Sequence, residues 1–252
     1  MRLTRGPKEN HFRPAVDPLF RSAAIAYGPR VIGVVLSGAL NDGTAGMWAI
    51  KDCGGLTVIQ DPDEALYPSM PQSVLEHIDV DVRVGAKELG PALGQLVRDR
   101  AAAGGGRPVS DELNIEHRIA LEDSPLELGV TKLGTPSLYT CPECHGVLLQ
   151  LQSGNLLRFR CHTGHAFTVD ALAAHTGEVI EESLWNVVRA MDENVLLLRQ
   201  IADQLGVGGN NIAAERLREQ VRTAEQQRHT IRQVALQHRS SALTARADGD
   251  TS

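Results

Sequence analysis

The spacing of apolar positions changes along this chain, and each change predicts a different kind of element. Val31, Ile32, Val34, Val35 and Leu36 form one short β-branched run, and residues 56–60 form a second. Such runs suit strands of a parallel sheet covered on both faces. Helical spacing follows each run, over 44–52, 71–77 and 86–100, with Thr44 available as an N-cap and a short strand predicted near 80–84. Residues 101–110, AAAGGGRPVS, have the composition of a flexible tether. A short helix is predicted over 111–122, and 128–139 reads as extended and irregular. Residues 147–151 and 156–160 read as two strands joined by Ser153-Gly154-Asn155.

The carboxyl-terminal third is helical in pattern. Ile180, Leu184, Val188, Met191, Val195, Leu198 and Ile201 fall on one stripe, in steps of three and four. Residues 206–211 interrupt it, and Leu217, Val221, Ala224, Ile231 and Ala235 resume it on a second helix. Two such helices form an antiparallel hairpin. Its apolar seam either closes on itself or self-associates or takes a partner helix. The polar tail from 240 to 252 is predicted to be disordered.

Two places carry candidate chemistry. In GVVLSGALNDGTAG, residues 33–46, a buried strand empties into a loop bracketed by Gly38 and Gly43 that presents Asp42. The carboxyl edge of an open α/β sheet is where ligands and catalytic groups collect. Asn41-Asp42-Gly43 is also ordinary turn chemistry, so spacing alone leaves both readings open. The second place is built from cysteine. Of four cysteines, Cys53 stands alone and reads as a small buried hydrophobe. Cys141-Pro-Glu-Cys144 and Cys161-His162-Thr163-Gly164-His165 sit at the two ends of the predicted hairpin. That spacing brings three thiolates and an imidazole toward one point, a closed tetrahedral Zn2+ site of the ribbon type with no position left for water. His165, His162 and His145 are the candidates for the imidazole. Glu116, His117 and Asp123 read as solvated surface.

Charge and hydropathy narrow the function classes. A formal net charge of -6 disfavours a nucleic-acid partner. No apolar run reaches the length of a membrane span, and no apolar core follows the basic residues near the amino terminus, so a cytoplasmic protein is expected.

Three segments then carry a resemblance. RGPKENHFRPAVDPLFRSAA at 5–24, the strand with LSGALNDGTAG, and GGLTVIQDPDEALYPSMPQSVL at 54–75 resemble, in that order, the second half of the catalytic domain of the CheB protein-glutamate methylesterases. The resemblance implies an α/β, partial parallel-sheet (Rossmann-like) domain over 1–100. After it come a linker with a short helix (101–138), a zinc-ribbon-like hairpin (139–170), a helical hairpin (171–239) and the tail. It also implies a hydrolase acting on γ-glutamyl methyl esters of chemoreceptors, or a similar helical protein substrate, through a Ser-His-Asp triad that uses no cofactor. Phosphorelay control is implied by the family name alone. Asp42 matches the triad aspartate. Met70 and Pro71 match an MP motif and are expected to line the site, with Gly38, Asn41 and Gly43 shaping its loop. A similar CPEC and CxxGH extension in CheB-like proteins favours His165 as fourth metal ligand.

The family's Ser-Thr-Gly-Gly turn and its histidine motif have no counterpart in the 252 residues. His11 and His77 lie outside that motif, and Ser22, Ser37, Ser69 and Ser73 are not on a glycine-flanked strand-to-helix elbow. The chain alone is therefore expected to be inactive, because a triad acts as a unit. Three arrangements follow: an esterase whose true start lies upstream, a split site shared by two chains, or a non-catalytic adaptor working through its zinc-helix part.

Overall fold

The computed structural model describes residues 3–100, 108–122 and 124–249; the side chains of Arg100 and of 239–249 lie outside that description. The glycine-rich segment 101–107 and Asp123 lie outside it too, so the tether expected there goes undescribed.

The first half follows its hydrophobic pattern. Helix α1 (Val16–Tyr27) precedes β1 (Ile32–Val35), α2 (Thr44–Asp52), β2 (Leu56–Gln60), α3 (Ser69–His77), β3 (Val82–Val84) and α4 (Ala86–Arg100). The three strands form a parallel sheet in the order β1-β2-β3, with Val34 opposite Val58 and Ile59 opposite Arg83. Val35, Met47, Ile50, Ile59 and Val74 are buried together beside it. Burying a side chain of this size removes it from water at a gain of roughly 1.5–3 kcal/mol. Gly46 lets α1 and α2 close up, since a Cβ there would sit 2.5 Å from that of Phe20.

Thr44 does not cap α2. The cap position is Gly43, at φ +97°, and the Thr44 hydroxyl turns inward to Ser73 Oγ at 2.9 Å. A buried hydroxyl partner has taken the side chain from the helix end.

The region that carries the clustered cysteines is larger than a hairpin. Strands β4 (Thr135–Thr140), β5 (Val147–Ser153), β6 (Leu156–Cys161) and β7 (Ala166–Thr168) form a four-stranded antiparallel sheet. A two-residue turn with Gly154 at φ +58° joins β5 to β6, as a hairpin of that length requires. The residues read as irregular are in part β4, and β7 was concealed by its three-residue length. A further segment joins the sheet's edge: Asn10 N–H donates to Ala166 O at 2.8 Å, and Ala166 N–H to Lys8 O at 3.2 Å.

Helix α5 (Asp111–Ala120) is capped by Ser110, whose hydroxyl accepts from Leu113 N–H. It ties the two sheets together. Leu113 packs into the parallel-sheet core, whereas Ile119 packs with Val130, Leu133, Leu149 and Leu151 against the antiparallel sheet. Met1–His175 is accordingly one compact unit, and the boundaries expected near 100 and 139 do not divide it.

The second unit is Thr176–Ser252. It contains most of α6 (Val169–Val207) and all of α7 (Asn211–Gly249). Val195, Val221 and Ala224 are buried against one another with Leu198 beside them. Ile180 and Ile201, placed on the stripe by their spacing, are instead 44% and 45% exposed, while Ala202 is buried. A strict 3.5-residue reading drifts against the 3.6-residue turn over so long a helix. The backbone is helical through Gly249, where disorder was expected from 240; SSALTARA contains no proline or glycine to stop it. Residues 250–252 lie outside the described part. Among the described residues, no helix is long and apolar enough to cross a membrane.

Candidate active-site acid and metal centre

Asp42 sits in the loop between β1 and α2, at the carboxyl edge of the parallel sheet. Its carboxylate receives two backbone amides from the first turn of α1: Val16 N–H to Oδ2 at 2.7 Å and Asp17 N–H to Oδ1 at 3.2 Å. The free amides of a helix start are natural donors to a carboxylate. Asp42 is 8% exposed. Burial raises its pKa, and the Val16 and Asp17 amides offset this only in part.

The loop residues named from the sequence gather here. Gly38 N–H donates to Tyr67 O and Gly38 O accepts from Met70 N–H at 3.0 Å, which joins the loop to the start of α3. A Cβ on Gly38 would meet Met70 Sδ at 2.2 Å, so a side chain there would have to displace the methionine. Pro71 is buried in the first turn of α3. Leu40 occupies the left-handed region at φ +64°, a costly conformation for a branched side chain. Asn41 is buried; its Nδ2 donates to Asp170 Oδ2 at 3.2 Å while its Oδ1 has no hydrogen-bond partner among the described residues.

The candidate partners of Asp42 are engaged elsewhere. His11 Nδ1 lies 2.8 Å from Glu143 Oε1, and His77 Nδ1 donates to Ser73 O at 2.9 Å. Ser22 donates to Leu19 O, Ser37 Oγ accepts from Tyr67 N–H, Ser69 donates to Gly38 O, and Ser73 pairs with Thr44. Among the described residues, no histidine or serine side chain is bonded to the Asp42 carboxylate.

Two polar residues beside Asp42, both inside the 5–24 segment that carries the resemblance, are not singled out by the sequence. Asp17, also buried, accepts from Gly46 N–H at 2.7 Å and from Asn10 Nδ2 at 2.9 Å. Burial first, then the nearby carboxylates of Asp42 and Glu9, push its pKa up to about 7. Asn10, at φ +50°, also accepts from Thr168 N–H at 3.0 Å. Beyond that segment, its hint in the sequence is its residue type, since asparagine tolerates left-handed backbone.

The second site is at the end of the antiparallel sheet. Ligand atoms of Cys141, Cys144, Cys161 and His165 all lie within 4.8 Å of one another. Cys144 Sγ and Cys161 Sγ are 3.6 Å apart, and His165 Nδ1 is 3.7 Å from Cys141 Sγ and 3.6 Å from Cys161 Sγ. A tetrahedron with metal–sulfur bonds of about 2.3 Å has edges of about 3.8 Å, so the four groups suit one ion. The backbone of the first knuckle shapes it: His145 N–H donates to Cys141 O, and Cys141 N–H to Gly146 O, both at 2.7 Å. His145 and His162 are exposed and outside the cluster, so His165 is the imidazole brought to the thiols. Donation from Cys141 first, and also from His165 and Thr163, holds the Cys161 thiol far below its usual range.

Glu116 is buried, at 3% exposure, which corrects its reading as solvated surface. It takes Arg158 in a two-pronged pair at 2.9 and 3.1 Å and accepts from Arg160. Arg160 also reaches Glu9 at 3.1 Å, and Arg21 reaches the same Glu9 oxygen at 2.5 Å. Burial alone would raise both acids, but the arginines outweigh it and hold the Glu9 and Glu116 carboxyls below the usual range.

Comparison with known proteins bears on the first site. Residues 1–93 match the family model described as CheB methylesterase. A putative protein-glutamate methylesterase/protein-glutamine glutaminase of Leptospira interrogans is 45% identical over 76 residues, 30% of this chain and 39% of that protein. The enzyme of that name from Moorella thermoacetica is 40% identical over 86 residues, 34% of this chain and 20% of the relative. The CheB methylesterase catalytic domain of Thermotoga maritima is 34% identical, over 37% of this chain and 49% of that one, with a TM-score of 0.36. The chain thus spans well under half the length of these curated relatives. Asp42 lies within residues 1–93, the stretch that matches this family model.

Proposed function

We propose that residues 1–93 are the acid-bearing part of a protein-glutamate methylesterase catalytic domain, with Asp42 the third member of a Ser-His-Asp triad. The serine and histidine would come from outside these 252 residues. The observation that carries this reading is the seat of Asp42: a carboxylate at the carboxyl edge of a parallel sheet, held by two helix-start amides in a matched stretch of family sequence. In such a triad serine attacks the γ-glutamyl ester carbonyl, and histidine takes its proton and passes it to departing methanol. A water activated by the same histidine then cleaves the acyl-serine to free glutamate and serine. The aspartate orients the imidazole and stabilises its charge. The same steps on a glutamine side chain would release ammonia, in keeping with the double name of the relatives. Gly38, Asn41 and Gly43 shape the loop, and Met70 and Pro71 line it. The substrate class is a methylated chemoreceptor or similar helical protein of the cytoplasm.

Cys141, Cys144, Cys161 and His165 are proposed to hold one structural zinc ion. Four protein ligands leave no open position, and borderline-soft thiolates with one imidazole suit that metal. Elemental analysis is expected to find about one zinc per chain, and Cys144→Ser to lose it.

A second reading, an adaptor without catalysis, draws support from the burial of Asp42 and from the absence of a histidine on it among the described residues. Methanol release from methylated chemoreceptor separates the two. The chain alone is expected to release none. Mixed with the segment of the Leptospira interrogans relative not matched here, it is expected to gain activity that Asp42→Asn lowers by on the order of 10⁴. Release by the chain alone would refute an external serine and histidine. Folded protein that stays silent on mixing would leave the adaptor.

A further inference from the structure

The Asp42 seat and the Cys3His cluster are joined through the chain neighbours of the metal ligands themselves. Arg160 directly precedes Cys161. Its guanidinium donates to Gly164 O at 2.7 Å, bracing the loop that carries His165, and it reaches across to Glu9 at 3.1 Å. Ala166 directly follows His165 and pairs with Lys8 and Asn10 through backbone hydrogen bonds. Thr168, two residues on, donates to the Asn10 side chain, whose amide donates in turn to Asp17. Asp17 supplies one of the two amides that hold Asp42. A second link runs from Asp170 to Asn41, the residue before the acid.

Segment 8–11 is therefore gripped from both sides. Asn10 and His11 are both in the left-handed region, at φ +50° and +72°, a conformation that needs outside support. That support comes from β7 and Arg160, which the ligand loop fixes. Hydrogen bonds in so buried a setting stand or fall together, because each unmet partner costs the full desolvation of its group.

We propose that Asn10 is a positioning residue for Asp42 and that metal binding at the Cys3His cluster, through β7, sets whether the acid is held. The inference rests on the readings of Asp42 and of the cluster given under Proposed function. It makes the metal module part of the support of the esterase acid, so that metal loss would disarm the site at a distance.

Hydrogen–deuterium exchange on the full chain tests it, with zinc content measured on the same samples. In zinc-loaded protein, chelation is expected to speed exchange of the Val16 and Asp17 amides at least tenfold while β2 amides stay slow. Asn10→Gly, which keeps the left-handed backbone and removes only the side chain, should speed the same amides with zinc still bound. In that variant chelation should add nothing further at Val16 and Asp17, although it still opens β5 and β6. A merely structural asparagine would not erase the metal dependence at one place alone. Bound zinc with no change at Val16 and Asp17 on chelation overturns the inference and spares the zinc reading. Equal acceleration of β2 also overturns it, since the metal would then hold the unit at large. Purified protein without metal overturns both.

Discussion

Arginine pairs with glutamate or aspartate in two very different surroundings. In the first unit, the side chains of Arg21 and Arg160 are buried; Arg21 meets Glu9, Arg160 meets both Glu9 and Glu116, and Arg158 closes the group on Glu116. On the helical hairpin, Arg222 meets Glu219, Arg199 meets Glu225, and Arg228 meets Asp192, all with substantial access to water. Water screens the second set and leaves each side chain a ready alternative partner. The buried set is shut off from water: remove one member and the charges that remain lose an ionic partner that water does not replace. The same residue types thus decorate one unit and determine the assembly of the other.

The sharpest way to break this contrast is Glu116→Ala. It removes the carboxylate partner of Arg158, which keeps only Ser153 Oγ, and one of the two carboxylate partners of Arg160, and urea unfolding is expected to show a loss of about 3–5 kcal/mol. A loss below about 1 kcal/mol would mean that water reaches the group. A smaller effect comes from Asp17. Its carboxyl is raised to about 7 when folded, by burial and by the carboxylates of Asp42 and Glu9, against an ordinary value of 3.8. The folded state therefore keeps a proton that the unfolded chain releases near pH 4. The stabilising contribution is complete below that pH and is lost as pH rises through about 7. Between pH 5 and pH 8 the wild-type chain is expected to lose roughly 2–4 kcal/mol more stability than Asp17→Asn. Glu9 and Glu116, with lowered values, act in the opposite sense and only below the ordinary glutamate range. Smallest of all, Arg222→Ala on the hairpin should leave the thermal midpoint unchanged within measurement; a clear drop would show that the exposed pairs form a working network.

The parts of the fold that were legible in the sequence are those set by local pattern. The β-branched runs gave β1 and β2, the C-x-x-C and C-x-x-x-H spacings gave a cluster whose four ligand atoms meet, and the glycine-flanked loop gave the location of Asp42. What escaped was set by pairing across long separations. Strand β4 reads as irregular until β5 is beside it, and β7 is too short to show a period. Glu116 sits in a helix of charged residues, and nothing within ten positions says that Arg158 and Arg160 will bury it. For the same reason Asn10 and Asp17 are not singled out, and Thr44 reads as a cap until Ser73 supplies a buried partner. The hairpin stripe was right in kind but drifted in register, so that Ala202 rather than Ile201 faces inward.

The bridge from Lys8 and Asn10 to Ala166 bears on inheritance. Consider a gene cut within the stretch that encodes residues 101–107. A cut there would leave Glu9 and Arg21 on one product and Glu116, Arg158 and Arg160 on the other, each with charge intended for its counterpart. The two stretches are expected to descend together, and a lineage that recombines between them should have to replace both.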